Sequence, residues 1–202
     1  MEELKQLLIF NKWSVDNITV EDPGLVNYIN LDPKVYVSSF GRHANQRFHK
    51  TKMNIVERLI NKVMVPGHKG KKHFISSGHI TGKKTKAMNI VKEAFEIIEK
   101  RTGKNPIEVY VKAIENAAPR EEITSIEYGG ARYPKAVDCS PQRRIDLALR
   151  FFVQGAYQKA FNKKTSISET LANEIILAYE NNPQSLAISK KSELEKQADA
   201  SR

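Results

Sequence analysis

The sequence predicts a mainly α fold: a bundle of about six helices with a projecting two-stranded β-hairpin and an irregular N-terminal arm. Three observations predict it. Apolar residues recur at the helical period in segments closed by caps and breakers. One stretch, around Gly129-Gly130, changes to β-branched and aromatic residues on both sides of a two-residue turn. The first 50 residues hold turn signals but no sustained period.

Residues 1–50 are the expected arm: Asp22-Pro23-Gly24 and Asp32-Pro33 are turn signals, and Tyr36 to Phe40 is read as a short extended piece. The helical body is expected over 51–202. From Asn54, Ile55, Val56, Leu59, Ile60, Val63 and Met64 form one apolar stripe that Pro66-Gly67 stops. A second helix opens at Gly82, places Ile90, Val91, Ala94, Phe95, Ile97 and Ile98 together, and closes at Thr102-Gly103. A third begins at Asn105-Pro106, a cap followed by proline at the first helical position, and runs towards Pro119.

The hairpin is expected at about 121–138. Counting outward from Gly129-Gly130 sets Tyr128 against Ala131, Glu127 against Arg132 and Ile126 against Tyr133, so opposite charges and then apolar groups face each other. No other strand is available to widen this ribbon. The longest helix follows Ser140-Pro141 and carries Ile145, Leu149, Phe152, Val153, Ala156 and Phe161. Ser166 and Glu169 make a capping box for the next helix, which ends at Asn181-Asn182-Pro183; Ser192 and Glu195 repeat the device for a short C-terminal helix.

With 202 residues, 40% of them hydrophobic and 18 Gly and Pro together, the chain has the composition of a folded domain, not of a disordered one. Cys139 is the single cysteine, so an intramolecular disulfide and a cysteine-rich zinc site are excluded. No apolar run approaches the roughly 20 residues of a membrane span, and the first residues lack the order of a secretory signal. A cytoplasmic chain without membrane partners is expected.

The net charge is +10, and it is unevenly spread. Residues 1–33 hold two basic and six acidic groups, whereas residues 34–104 hold 17 basic and four acidic ones. The basic excess therefore sits in the middle of the chain. It gathers at Gly67 to His73 and at Gly82-Lys83-Lys84-Thr85-Lys86, where lysines meet a helix N-terminus whose free N–H groups already attract anions. A phosphate between them turns that repulsion into attraction, so the arrangement reads as a polyanion clamp; the competing reading is a solvated helix start. Arg143 and Arg144 make a second basic helix start. Arg42, Arg47 and Lys50 form a third cluster beside Phe40 and Phe48, a mixture suited to phosphate contact and to stacking on unpaired bases.

Other chemistries find less support. The spacing is not that of a nucleotide P-loop, and His43, His49, His68, His73 and His79 lie in lysine-rich surroundings without the spacing of a zinc helix, so no metal or cofactor is implied. Glu93, Glu96 and Glu99 fall within a helix as solubilising charges. Cys139 has no identifiable base beside it and reads as a structural thiol. No catalytic residue is assigned.

These residues, in order, resemble the universal small-subunit ribosomal protein seven family, most closely its archaeal and eukaryotic branch. The resemblance spans Tyr36 to Arg202. It rests on Asn54-Ile-Val-Glu-Arg-Leu59, Gly82-Lys-Lys, Ala94-Phe-Glu-Ile-Ile98, Thr102-Gly103 with Asn105-Pro106, Pro119-Arg120-Glu121, Ala136-Val137-Asp138, Ser140-Pro-x-Arg-Arg144 and Lys190-Lys191 with Glu193-Leu194-Glu195. It implies a non-enzymatic constituent of the small ribosomal subunit that binds the 3′ major domain of its RNA, nucleates assembly of the head and contacts neighbouring subunit proteins. The RNA-binding groups it implies are Arg42, Arg47, Lys83, Lys84, Lys86, Arg143 and Arg144, joined by His43, Lys50, Lys71 and Lys72 of the same basic segments. It also places Gly129, Gly130, Ala131 and Arg132 of the hairpin, and Lys190 and Lys191, near the exit-site transfer RNA and the messenger path. The loop Gly70 to Thr81 is longer than the family's connection between the first two body helices, so its contacts are unassigned, and the acidic stretch before Asp32 follows no motif of the family. The competing functions are an RNA-modifying enzyme centred on His73, His79 or Cys139, another structured-RNA-binding module, and a sequence-specific DNA-binding module.

Overall fold

Helix starts are fixed by side-chain caps that the sequence advertises. The computed structural model describes residues 7–66 and 79–202. In α1 (Ile55–Val63) the Asn54 side chain accepts from Val56 N–H at 2.8 Å, and in α3 (Pro106–Ala117) Asn105 accepts from Ile107 N–H at 3.0 Å. In α5 (Ile167–Tyr179) Ser166 accepts from Glu169 N–H at 3.1 Å. Each satisfies a donor the helix itself leaves open. Between them, α2 (Lys84–Thr102) ends at Gly103 in the left-handed region, and α4 (Pro141–Ala160) starts on its proline without a side-chain cap from Ser140.

The apolar stripes meet in one core. Phe95 and Ile98 of α2, Tyr110 and Ile114 of α3, Ile145 and Phe152 of α4, and Leu171 and Ile175 of α5 are all buried there with Leu59 of α1. Helix α5 packs against α2, α3 and α4. The ribbon β1 (Glu121–Tyr128) and β2 (Ala131–Asp138) has the expected register, Tyr128 to Ala131, Glu127 to Arg132 and Ile126 to Tyr133, and Gly129 and Gly130 both take positive φ. That is the turn whose twist matches paired strands. Its base is closed by Cys139 N–H donating to Arg120 C=O at 2.8 Å, and it lies against α6 (Leu186–Asp199).

Three features differ from the sequence reading. Helix α6 begins at Leu186, six residues before Ser192, because Glu174 of α5 reaches over to serve as its cap: its carboxylate accepts from Ser185 Oγ at 3.0 Å and from Leu186 N–H at 3.1 Å. Residues 35 and 36 bend, and no strand forms over 36–40. The arm is irregular in backbone from residue 7 to 50, with only short 3-10 turns, yet it is part of the core. Ile9, Leu25 and Val37 are fully buried, and Trp13 packs edge-on against Phe95 while donating to Glu99. Isolated apolar residues without period anchor it.

Candidate nucleic-acid interface

Glu57, on the first turn of α1 and fully buried, organises one end of the basic region. Its Oε1 accepts from Ser39 N–H at 2.8 Å, from Ser39 Oγ at 3.0 Å and from Lys84 Nζ at 2.6 Å, and Lys84 also donates to Ser38 Oγ. The loop 38–43 and the start of α2 are thereby tied together. Ser39 Oγ also lies 3.1 Å from His43 Nδ1. A cleft of about 390 Å³ opens beside this node, lined by Lys34, Phe40, Arg42, His43, His49 and Lys52 among others, with no carboxylate among the described residues of its wall.

His49 and Lys52 belong to the turn that carries Lys50 to a second cluster. Lys50 Nζ donates to both oxygens of Asp146 on α4 at 2.7 Å, and buried Arg58 reaches the same carboxylate at 3.1 Å. Burial pushes the Asp146 carboxyl up, but the bonds and charges of Lys50 and Arg58 outweigh it and hold the group below its ordinary range. Lys62 of α1 is pushed down by burial and by the positive charges of Arg150 and Lys50, with only Asp146 opposing them. Lys50 and Arg58 therefore share one carboxylate, and Lys62 faces Arg150 and Lys50 with Asp146 as the one negative charge set against them. Lys62 and Arg150 escaped the sequence reading; the signal available was that Arg150 falls two helical turns after Arg143 on the same helix.

The residues expected to bind RNA divide by what they touch. Arg42, Lys83 and Lys86 are exposed and make no ion pair among the described residues, and Arg47 is exposed with its guanidinium 4.8 Å from the Phe48 ring centre. Lys84 and Lys50 hold internal carboxylates, and Arg143 pairs with Glu122 at the hairpin base. Arg144 is buried, donates to Asp22 Oδ2 at 2.6 Å and to Pro119 C=O at 3.2 Å, and so pins the N-terminal segment to α4. Lys71 and Lys72 lie outside the described residues. Gly129, Gly130, Ala131 and Arg132 stand exposed at the ribbon tip, with Arg132 3.6 Å from Glu127. Lys190 pairs with Glu193 along α6, and Lys191 turns inward to donate to Asn116 C=O at 2.8 Å.

Two described acids of the N-terminal segment have partners within the chain. Glu21 pairs with Lys112, Asp22 with Arg144, and the N–H groups of Glu21 and Asp22 donate to Glu115. Cys139 is buried, and burial with the nearby Glu122 raises its thiol to about 11, far from a poised nucleophile. No described helix is long and apolar enough to cross a membrane.

The site is a set of basic side chains on the loop 34–52, the start of α2 and α1, with Glu57 and Asp146 tied up in internal pairs. The model of the ribosomal protein S7p/S5e family matches residues 27–202. The chain is 57% identical over 197 residues to small ribosomal subunit protein uS7 of Nanoarchaeum equitans, covering 98% of this chain and all of that one. It is 52% identical to the uS7 protein of Methanothermobacter thermautotrophicus over 94% of this chain and 96% of the relative, and 51% identical to that of Archaeoglobus fulgidus over 98% and 96%. The chain belongs to the ribosomal protein S7p/S5e family, whose members are structural and not enzymatic.

Proposed function

We propose that this protein is a constituent of the small ribosomal subunit that binds small-subunit ribosomal RNA through the face running from the start of α2, across the loop 34–52, to Lys62 and Arg150. The single carboxylate of Asp146 is already shared by Lys50 and Arg58 while Lys62 faces the charges of Arg150 and Lys50, and this carries the reading, because such a cluster is relieved when a phosphate supplies further negative charge. In this role the protein nucleates folding of the 3′ major domain and contacts neighbouring subunit proteins. The ribbon tip, Gly129 to Arg132, and α6 with Lys190 face the exit-site transfer RNA and the messenger path. The ribbon carries Glu121, Glu122 and Glu127, so it serves as a spacer more than a phosphate clamp.

Titration of binding to a transcript of the 3′ major domain against salt tests the reading. Each phosphate neutralised steepens the slope of log affinity against log salt by about 0.7–0.9. The expected outcome is a steep slope; affinity indifferent to salt overturns the proposal.

A further inference from the structure

Two bulky residues in the loop before α1 hold left-handed backbone angles while showing their rings to solvent. Phe40 has φ +51° and Phe48 φ +65°. That region is costly for a residue with a branched or bulky side chain, and such strain persists where the surroundings enforce it, commonly at ligand sites. Burial of the ring would offset the cost, yet Phe40 is 76% exposed and Phe48 68%. The Phe40 ring instead stacks on Tyr36, 51% exposed, with 5.9 Å between centroids and 18° between planes.

The pair is presented from a fixed base. Phe40 N–H donates to Ser38 Oγ, Ser38 accepts from Lys84, and Ser39 is bound to buried Glu57. The surroundings are cationic: Phe40 shares the cleft of about 390 Å³ with Lys34, Arg42, His43, His49 and Lys52, and no carboxylate lines it among the described residues.

We infer that the Tyr36–Phe40 pair is a stacking platform for an unpaired nucleobase, with the cleft beside it taking the adjoining ribose-phosphate. An open aromatic face accepts any base, since every base has a π-face, and a cationic wall without carboxylates selects a polyanion over a neutral apolar peptide. The inference rests on the RNA-binding reading above and adds a ligand chemistry that phosphate neutralisation does not supply.

The test uses the full chain and the 3′ major domain transcript at one salt concentration. Phe40→Asn removes the ring while keeping a residue that tolerates positive φ, so the variant keeps or gains thermal stability. Tyr36→Ala removes the second ring. Each is expected to lower affinity about fivefold or more, with the salt slope unchanged because no cation is lost. Ultraviolet crosslinking of the unaltered complex should leave a nucleotide adduct on Tyr36 or Phe40. Unaltered affinity in both variants with no adduct overturns the inference. Variants that bind RNA normally but fail to enter reconstituted subunits also overturn it, and assign the rings to a neighbouring protein. Salt-indifferent binding by the unaltered protein is the separate failure of the RNA-binding reading.

Discussion

Lys83 and Lys84 are adjacent, identical in type and opposite in role. Lys83 is exposed, whereas Lys84 answers the buried charge of Glu57 and holds Ser38. Removing one partner of such a pair strands the other, which costs about 3–5 kcal/mol for a fully buried pair and less here, about 2–3, since Lys84 is a quarter exposed. Lys84→Ala is therefore expected to lower urea stability by that amount and Lys83→Ala by under about 0.5 kcal/mol; equal losses would refute the distinction. Asp22 obeys the same logic with a pH signature. Burial pushes its carboxyl up, but the Arg144 hydrogen bond, Gly24 N–H and the charges of Arg144 and Arg120 together bring it below its ordinary value. A depressed carboxyl stabilises the fold above its unfolded value near pH 4, and that contribution disappears as pH falls through the folded value. Asp22→Asn should thus cost about 2 kcal/mol at pH 7, with the gap closing as pH falls through the folded value and the native carboxyl takes up its proton; a gap that stays constant with pH would exclude the ion pair as its source. Neither role was legible in the sequence. Arg144 and Asp22 lie 122 positions apart, and no local pattern announces a pairing that tertiary packing creates.

At the scale of elements, legibility followed locality. The hairpin register was readable because a two-glycine turn fixes it, and α1, α3 and α5 were readable because cap and period sit within a few residues. The start of helix α6 was not, since its cap is a side chain of α5 and its own sequence is polar enough to be marginal alone. The same junction explains Gly155 of α4. A Cβ there would come within 2.9 Å of Glu174 Cδ and 3.0 Å of Leu186 Cβ. Alanine in a helix interior gains about 1 kcal/mol over glycine. The clash is larger, because Glu174 is held on all sides by Ser185, Leu186 N–H and Lys159 and cannot swing away. Gly155→Ala is expected to destabilise by about 1–2 kcal/mol net and to speed amide exchange in residues 186–199 ahead of the other helices. A stabilised variant with α6 protected would mean that the junction yields.

Over the whole molecule, charge is sorted by use. The acidic N-terminal segment, packed on the body, neutralises Lys112 and Arg144, so those cations are withdrawn from any outside partner. The surplus of residues 34–104 is left on the other contacts: the loop with Arg42 and Arg47, the α2 start with Lys83 and Lys86, and the cluster where α4 adds Arg150. The total of +10 therefore understates the local field at that face, and long-range attraction of a polyanion depends on the local value. This gives a contrast between two variants that each lose two cations or their equivalent. Lys62→Ala with Arg150→Ala removes two groups that make no ion pair among the described residues, and should flatten the salt slope for the 3′ major domain transcript by about 1.4–1.8 while lowering affinity. Lys112→Ala with Arg144→Ala takes the same formal charge from sites already neutralised by Glu21 and Asp22, and should lower stability while leaving the slope of the folded fraction unchanged. Equal flattening by both pairs would mean that the RNA responds to total charge alone, and the proposed face would lose its meaning.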